Sequence, residues 1–355
     1  MFSVASLFSG VGGLDWGFDQ HDDFIMVFAN DFEPTACNTY RLNFPHSSIY
    51  LKEGDITAFI DEIPAHDLLL GGFPCQAFSL AGKREGFDDT KGRGLHYESC
   101  KKVLNLRKPS FFVFENVGGL SSHNKGKTLE IIKEAFRKEG YRVHCETIKM
   151  NEYGIPQRRV RLLFFGVRSD LSFDPQWMVP KKPQIDQETL KLKYHLNPNV
   201  FPILPTATQM PNHNYHVGNG ATKVYWMKIV SEPGENLYKL PKELVRMRQQ
   251  KLLELENLPI REKIPQSQLG YRRLDDQVIA PTMMFGNTCL PIHPKENRSI
   301  SVREAAYIQS FPLDFEFTGG IASQYKQVGN AVPPKFSLIL SSHLAQILKG
   351  VRNFK

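Results

Sequence analysis

Short apolar runs alternate with helix-like periods along the first 170 residues of the chain. Runs rich in Phe, Val, Ile and Leu, bounded by Gly, Pro or Asp, predict β-strands at residues 3–8, 25–29, 67–70, 111–114, 142–148 and 161–167. The clearest helix is predicted at 127–139, where Leu129, Ile132 and Phe136 repeat at helical spacing and Gly140 follows. This alternation predicts a doubly wound α/β fold with a mostly parallel sheet.

The pattern changes between residues 170 and 297, a span that holds 14 of the 23 prolines. Its apolar residues show little period apart from one helical segment that begins at Pro241. After Arg298 the helical period returns, and residues 336–348 predict a helix that packs back on the sheet. We therefore expect a second, smaller and irregular domain between two parts of the first.

Length and composition limit the classes of protein to which the chain can belong. A chain of 355 residues that is 41% hydrophobic and 23% charged is typical of a globular protein with about two domains. No apolar stretch approaches the roughly 20 residues of a membrane span, and the first residues do not resemble a signal peptide. We therefore expect a cytoplasmic protein without membrane contact.

The five cysteines, at positions 37, 75, 100, 145 and 289, form no CxxC pair. Their odd number and spacing argue against a disulfide framework and a structural zinc site. The net charge of +7 permits a polyanionic partner, but many enzymes without nucleic-acid partners are equally basic. Charge alone therefore does not decide whether the chain binds nucleic acid.

A glycine turn follows the first predicted strand, in the segment FSGVGGL at residues 8–14. It differs from the dinucleotide fingerprint GxGxxG because Asp15 stands where the third glycine would be, which disfavours a pyrophosphate cofactor. Asp31, at the end of the next strand, is suitably placed to accept the ribose hydroxyls of an adenosine, although a capping or solvated Asp is about equally common there. Asp55 is expected at the end of the third strand, near an adenine amino group.

Two further strand ends carry reactive side chains. Cys75, in GGFPCQAFS, directly follows the apolar run 68–70, so it is expected at the carboxyl edge of the sheet, where open α/β folds bind ligands. The strand FFVFENV ends in Glu115 and Asn116, which an apolar core does not tolerate without partners. Arg159 and Arg161, in QRRVR, share one side of a strand by its period of two, although without the other motifs a solvated basic strand edge would be the preferred explanation.

Six segments in this order, FSGVGGL, GGFPCQAFS, FENV, QRRVR, REAAYIQSFP and QVGNAVPP, resemble the motifs of the DNA cytosine-5 methyltransferases of bacterial restriction-modification systems. The resemblance covers about residues 1–170 and 298–345, but not the middle. It implies a catalytic and cofactor-binding domain at 1–185 with a Rossmann-like methyltransferase sheet, and a target-recognition domain at 186–297. A hinge at 298–327 and a return segment at 328–355 would complete the catalytic domain.

The resemblance also implies the chemistry. Cys75 would add as a thiolate to C6 of a cytosine, and C5 would then take a methyl group from S-adenosylmethionine. Glu115 would hydrogen-bond N3 and the exocyclic amine of the base, with Asn116 orienting it, while Arg159 and Arg161 converge on the same rim. Cofactor contacts are implied at Phe8, Gly10, Gly12, Leu14, Asp31, Asp55, Pro74, Asn330 and Val332. Family members often carry Glu where Asp31 stands, which leaves the reach of the shorter side chain in question.

The implied partner is double-stranded DNA, from which the target base must be flipped because its C5 is shielded in the stack. The loop at 76–94 is expected to close over the site. Expected DNA contacts are Gln76, Ser79, Lys83, Arg84, Lys223, Arg272 and Arg273. A cognate restriction endonuclease and a monomeric state are further expectations of the resemblance.

Two alternative functions fit parts of the same pattern. A tRNA cytosine-5 methyltransferase of the same fold typically has Pro-Pro-Cys-Gln and a smaller recognition region, whereas this chain has Phe73-Pro74-Cys75-Gln76. An inactive sequence-specific DNA-binding protein is disfavoured by the intact Cys75 and Glu115. His213 and His216 have no third ligand nearby in the sequence, so no metal site is predicted.

Overall fold

The computed structural model describes residues 1–73, 96–195, 212, 226–256, 258, 271–283 and 290–352. The chain divides into two compact units. The first comprises Met1–Ile155, Arg159–Ile185 and Ala331–Lys355, and the second comprises Pro156–Arg158 and Asp186–Asn330. The second unit includes residues 298–327, which the resemblance implies to be a hinge.

Among the described residues, a seven-stranded sheet forms the centre of the first unit. Its strands, in chain order, are β1 (Phe2–Leu7), β2 (Phe24–Asp31), β3 (Leu51–Glu53), β4 (Leu68–Gly71), β5 (Phe111–Val117), β6 (Tyr141–Lys149) and β8 (Val160–Arg168). They lie in the order β3-β2-β1-β4-β5-β8-β6, with β8 antiparallel to β5 and β6 and the other pairs parallel. The predicted α/β fold class is confirmed.

The direction in which successive strands are added to the sheet reverses between β1 and β4. From β1 the chain builds β2 and β3 on one side, and it then returns to build β4 and β5 on the other side. In such sheets ligands bind outside the carboxyl ends of the strands at this reversal. The glycine turn follows β1, and the segment leading to Cys75 follows β4, so both lie at the reversal point.

Helices cover both faces of the sheet. They are α1 (Trp16–Asp19), α2 (Pro34–Asn43), α3 (His96–Arg107), α4 (Lys127–Lys138) and α9 (Pro334–Arg352). On α9, Phe336, Leu340, Leu344 and Leu348 recur every four residues and are buried in one core, while Ile132 and Phe136 of α4 are buried in the other. Because neither face meets water, β4 has consecutive leucines at 68–70, each 0% exposed.

The second unit has its own small core around Trp226, Ile229, Val230 and Ile292. Its helices are α5 (Leu192–His195), α6 (Lys242–Glu256), α7 (Val302–Ile308) and α8 (Ile321–Asn330). Its strands form two parallel pairs, β7 (Gln157–Arg158) with β10 (Ala280–Pro281), and β9 (Tyr271–Arg273) with β11 (Leu290–Ile292). Since α7 packs against α5 and α8, the predicted hinge belongs to this unit.

No helix in the described part of the chain is both long enough and apolar enough to cross a membrane.

Close packing of the sheet generates a stability prediction at Gly166 of β8. A β-carbon at residue 166 would lie 1.9 Å from Cε1 of Phe112, so Gly166→Ala overpacks the core, and we expect it to cost about 1–3 kcal/mol. The change is measured as a lower melting temperature by circular dichroism. Gly350→Ala in α9 is the control, because no described atom lies within 4 Å of the corresponding position. Equal melting of Gly166→Ala and the parent protein would contradict the prediction.

Candidate active site

The turn after β1 has a backbone conformation that most residues avoid. The φ angles of Phe8, Gly10 and Gly12 are 57°, 58° and 86°, and for a residue with a side chain this region costs roughly 1–3 kcal/mol. Main-chain hydrogen bonds hold the turn: Ser9 N donates to Asn30 O at 2.8 Å, and Gly12 N donates to Ser9 O at 2.9 Å. Strain that is held in this way is typical of ligand-binding turns.

One side of the turn is packed and the other is open. A β-carbon on Gly12 would lie 2.3 Å from the Phe44 ring, and one on Gly13 would lie 2.3 Å from Val332 O. Around the equivalent position on Gly10, no atom of the described residues lies within 4 Å. A ligand can therefore approach the main chain closely at Gly10.

Asp31, the last residue of β2, lies beside this turn and hydrogen-bonds to it. Its Oδ2 accepts a hydrogen bond from Gly10 N at 2.8 Å, and its Oδ1 accepts one from Glu33 N at 2.9 Å. Burial raises the pKa of Asp31, and these main-chain donors oppose the rise. Each carboxyl oxygen can accept a second hydrogen bond, so Asp31 can bind the turn and a ligand hydroxyl at the same time.

Asp55 follows β3 and is exposed. Its Oδ1 caps the helical turn Ile56–Ala58 by accepting from Thr57 N at 2.8 Å and from Thr57 Oγ1 at 2.7 Å. These bonds lower the pKa of Asp55, which keeps it ionised. The predicted position at the end of the third strand agrees with its place after β3.

Glu115 lies at the carboxyl end of β5 and pairs with Arg161 of β8. The Nε atom of Arg161 is 2.6 Å from Oε1 of Glu115, and the two side chains are 13% and 12% exposed. A β-carbon on Gly72, just after β4, would lie 3.5 Å from Oε2 of Glu115. The carboxyl group therefore lies beside the end of β4, with one oxygen directed to a cation.

Asn116 connects β5 to the residues that precede Cys75. Its Nδ2 donates to Phe73 O at 3.2 Å, and its Oδ1 accepts from Val117 N at 2.8 Å. Asn116 is buried, so its amide serves the main chain. It positions the last described residue before the Pro74–Cys75 segment.

Arg159 lies between β7 and β8, where the predicted continuous strand is interrupted. The residue is buried, and its Nη2 donates to Ala331 O at 2.8 Å. Burial lowers the pKa of Arg159, the charge of Arg161 lowers it further, and the charge of Glu115 opposes both. The charges of the Arg159 and Arg161 guanidinium groups and of the Glu115 carboxyl group therefore influence one another.

A family model described as C-5 cytosine-specific DNA methylase matches residues 2–344. The chain belongs to the C-5 cytosine-specific DNA methylase family. It is therefore an enzyme, a DNA (cytosine-5) methyltransferase, and the resemblance read from its motifs is confirmed.

Curated relatives agree with this assignment over the whole chain. The type II methyltransferase M.NlaX of Neisseria lactamica is 40% identical, with 100% of both chains covered. The type II methyltransferase M.NgoFVII of Neisseria gonorrhoeae is 33% identical, with 97% of this chain and 86% of the relative covered.

Solved structures share the fold. A prophage-encoded E. coli protein described as a DNA modification methyltransferase has a TM-score of 0.63 at 24% identity, with 99% of this chain and 100% of the other covered. The S. pombe Dnmt2 methyltransferase has a TM-score of 0.57 at 17% identity, with 98% and 99% covered.

Several expected site residues of the methyltransferase lie outside the described residues. They are Pro74, Cys75, Gln76, Ser79, Lys83, Arg84 and Lys223, together with His213 and His216. Within the described ranges, no three His, Cys, Asp or Glu side chains are grouped so that they could hold a metal ion.

The structure changes the expected role of two cofactor residues. The side chains of Leu14 and Val332 are buried in the hydrophobic core of the first unit, and the carbonyl oxygen of Val332 packs against Gly13, so both residues support the turn from within. Asn330 is the last residue of α8 and is exposed.

Arg273 was expected to contact DNA, and the structure argues against this. The residue is 2% exposed, and its guanidinium donates within the second unit to Val230 O, His293 O, Glu296 O, Met227 O and Asn297 Oδ1. These bonds occupy its donors in holding loops together. The neighbouring Arg272 is exposed and stays in the expected set.

Two described residues near the turn were missed by sequence reasoning. Phe32 directly follows Asp31 and is 60% exposed, although apolar rings are normally buried. His96, at the start of α3, packs edge-on against Phe8 with 5.6 Å between ring centroids. An aromatic residue next to a strand-end acid could have revealed Phe32, whereas the contact of His96 has no local signal.

The pairing of Glu115 with Arg161 generates a prediction about activity. Arg161→Gln removes the cation that orients the carboxyl group, so we expect kcat for methyl transfer to fall about 100-fold, in the range of a lost charged contact in a catalytic site. The exposed neighbour Arg158 provides the matched control, and Arg158→Gln is expected to stay within about twofold of the parent. Both variants are compared by steady-state transfer of labelled methyl groups to DNA. An Arg161→Gln enzyme with parental kcat would rule out this role.

Proposed function

We propose that this methyltransferase transfers a methyl group from S-adenosylmethionine to C5 of a flipped cytosine in a specific sequence of duplex DNA, through a covalent adduct with Cys75. The arrangement of three neighbouring strand ends carries the proposal. β1 runs into the glycine turn, β4 runs into the segment of Cys75, and β5 carries Glu115 two residues before its last residue, Val117. Because these strands are parallel, their carboxyl ends meet at one edge of the sheet.

The residues around the turn fit a cationic adenosyl cofactor. Residues 8–15 contain no Lys or Arg that could neutralise a pyrophosphate, whereas Asp31 and Asp55 supply carboxyl groups close to the open side of the turn. The cofactor, when bound, supplies an electrophilic methyl group on a sulfonium centre. The residues proposed to hold it are Phe8, Gly10, Gly12, Asp31, Asp55, Pro74 and Asn330, with Leu14 and Val332 supporting the turn.

Cys75 is the proposed nucleophile. Its thiolate forms a bond to C6 of cytosine, and the electrons of the C5–C6 double bond make C5 nucleophilic. A free cysteine has a pKa of about 8.5, so cationic neighbours are needed to raise the thiolate fraction. Arg159 and Arg161 supply positive charge on the adjoining strand end.

Glu115 is proposed to bind the Watson–Crick edge of the base. It hydrogen-bonds N3 and the exocyclic amine, and it supports protonation at N3 as charge develops on the ring. Arg161 holds its Oε1, which leaves Oε2 on the side of Gly72. Methyl transfer leaves S-adenosylhomocysteine as the product. Loss of the C5 proton to a base from solvent then restores the C5–C6 double bond and expels the Cys75 thiolate.

Duplex DNA is the proposed partner, and the base must leave the stack because C5 is shielded within it. The proposed DNA contacts are Gln76, Ser79, Lys83, Arg84, Lys223 and Arg272. The net charge of +7 permits a polyanionic partner. The family model is described for DNA and spans residues 2–344, which favours DNA over the tRNA alternative.

The type II names of the relatives support a role in restriction-modification. The proposal includes a cognate restriction endonuclease for the same site, a monomeric enzyme and a cytoplasmic location.

Replacing the nucleophile tests the mechanism. Cys75→Ser exchanges the thiol for a weakly nucleophilic hydroxyl of similar size, so we expect methyl transfer to fall at least about 1,000-fold while the dissociation constant for S-adenosylmethionine stays within about threefold. Radiometric transfer and calorimetric binding measure the two quantities. Cys145→Ser, on β6, is the matched control and is expected to retain activity. Substantial turnover by Cys75→Ser would refute the covalent mechanism.

A trapped adduct tests the chemical step directly. In DNA with 5-fluorocytosine in place of cytosine, fluorine cannot leave as a proton does, so we expect a covalent complex that survives denaturing electrophoresis. Its formation should require S-adenosylmethionine and Cys75, and mass spectrometry should locate the adduct on that residue. If no adduct forms with an enzyme that methylates ordinary DNA, the proposed intermediate is wrong. Trapping on fluorinated tRNA alone would favour the alternative substrate.

A further inference from the structure

A buried polar cluster lies behind the glycine turn and consists of Ser6, Ser9, Asp15 and Tyr40, which we call the Asp15 cluster. The hydroxyl of Ser9 donates to Ser6 Oγ at 3.0 Å, and the hydroxyl of Ser6 donates to Asp15 Oδ1 at 2.7 Å. Asp15 and Tyr40 are both 0% exposed. A carboxyl group at this depth is costly to ionise unless it is well paired.

The second oxygen of Asp15 has little compensation. Oδ2 and the hydroxyl of Tyr40 are both buried, and neither atom makes a hydrogen bond of normal geometry among the described residues, although the two side chains interact. The titratable groups that face Asp15 are Tyr40 and Asp19. Burial raises the pKa of Asp15 to about 7, against the hydrogen bonds from Ser6 and Tyr40, and the charge of Asp19 adds to the rise. Asp15 therefore changes charge close to neutral pH.

The cluster reaches the turn at two points. Ser9 stands between Phe8 and Gly10, and its carbonyl oxygen accepts from Gly12 N at 2.9 Å. Tyr40 stacks on Phe44 with 4.2 Å between ring centroids, and the Phe44 ring packs against Gly12. A change at Asp15 is thus transmitted to the turn through Ser9 and through the two stacked rings.

We propose that Asp15 is a positioning residue for the cofactor, and that its protonated form holds the glycine turn in the conformation that binds S-adenosylmethionine. This inference rests on the proposed function, because it takes the turn as the cofactor site. When the proton is lost, an uncompensated charge appears in the buried cluster. Ser9 and Tyr40 must then move, or water must enter, and the turn loosens.

The affinity for S-adenosylmethionine should depend on pH through the protonation of Asp15. Below about pH 7 Asp15 is mostly protonated and the turn is held, whereas above it the ionised form dominates. Cofactor affinity should therefore fall as the pH rises through 7. Asp15→Asn keeps an acceptor for Ser6 and a donor for Tyr40 but cannot ionise, so it should abolish this fall. Asp15→Leu has a similar size and makes neither bond, so it should weaken binding at every pH.

The experiment measures the dissociation constant of S-adenosylmethionine for the full chain by calorimetry at about pH 6 and about pH 8.5. The α-amino group of the ligand titrates near 7.7–8.0, so the readout is the ratio of each variant to the parent at each pH. We expect Asp15→Asn to match the parent at the lower pH and to bind about tenfold more tightly than the parent at the higher pH. Asp15→Leu should bind about tenfold more weakly at the lower pH. Asp22 is exposed, and Asp22→Asn is the control because it removes the same charge. Its dissociation constant for S-adenosylmethionine should equal that of the parent at both pH values.

A second readout does not need the cofactor. Amide hydrogen exchange at residues 8–14, corrected for its intrinsic pH dependence, should be faster in the parent than in Asp15→Asn at the higher pH. The KM for DNA should be the same in both. If Asp15→Leu does not fold, Ser6→Ala removes the donor to Oδ1 and should raise the dissociation constant several-fold.

The possible results distinguish a failure of the role proposed for Asp15 from a failure of the proposed cofactor site. Equal dissociation constants of Asp15→Asn and the parent at both pH values would overturn the role of Asp15. Lower melting temperatures with unchanged affinity would also overturn it, because they indicate a structural role alone. If the parent protein binds no S-adenosylmethionine at either pH, the proposed cofactor site is wrong.

Discussion

The parallel pairing of β1 with β4, and of β4 with β5, is the constraint on which the active site depends. In this register Leu7 lies opposite Gly71, and Gly71 lies opposite Phe114. The residues that come next, Phe8, Gly72 and Glu115, therefore emerge side by side although they are far apart in sequence. Because both faces of the sheet are buried, a slip of one residue would exchange the side chains that face the two cores.

Charge is distributed unevenly around this edge. Glu115 meets Arg161 directly, and buried Arg159 adds a second cation, so positive charge exceeds negative charge beside the end of β4. Around the glycine turn the balance is reversed, since Asp31 and Asp55 lie at the neighbouring strand ends. Charges in a site of low solvent access act more strongly than in water. Among the described residues, the two sides of the edge therefore differ in charge, positive beside β5 and negative beside β1.

The same fold uses arginine for a different purpose in the second unit. Arg273 and Arg303 are buried, and their guanidinium groups donate mainly to main-chain carbonyl oxygens. Five fixed donors on one side chain can join loops that regular structure does not pair. In the described part of the second unit, these two side chains therefore join main-chain segments that lie outside the helices and strands.

The sequence by itself determined six strands of the sheet, the helices α4 and α9, and the membership of the cytosine-5 methyltransferase family. Apolar residues that repeat every two or four positions indicate which side chains are buried. The motif FENV follows an apolar run directly, which places Glu115 near the end of a strand. Only the tertiary structure decided that Asn116 bonds Phe73, that Arg161 pairs with Glu115, that Arg273 is buried and that Asp15 faces Tyr40. The physical reason is that a polar side chain takes its partner from residues distant in sequence, and the partner, rather than the residue type, sets its charge and its role.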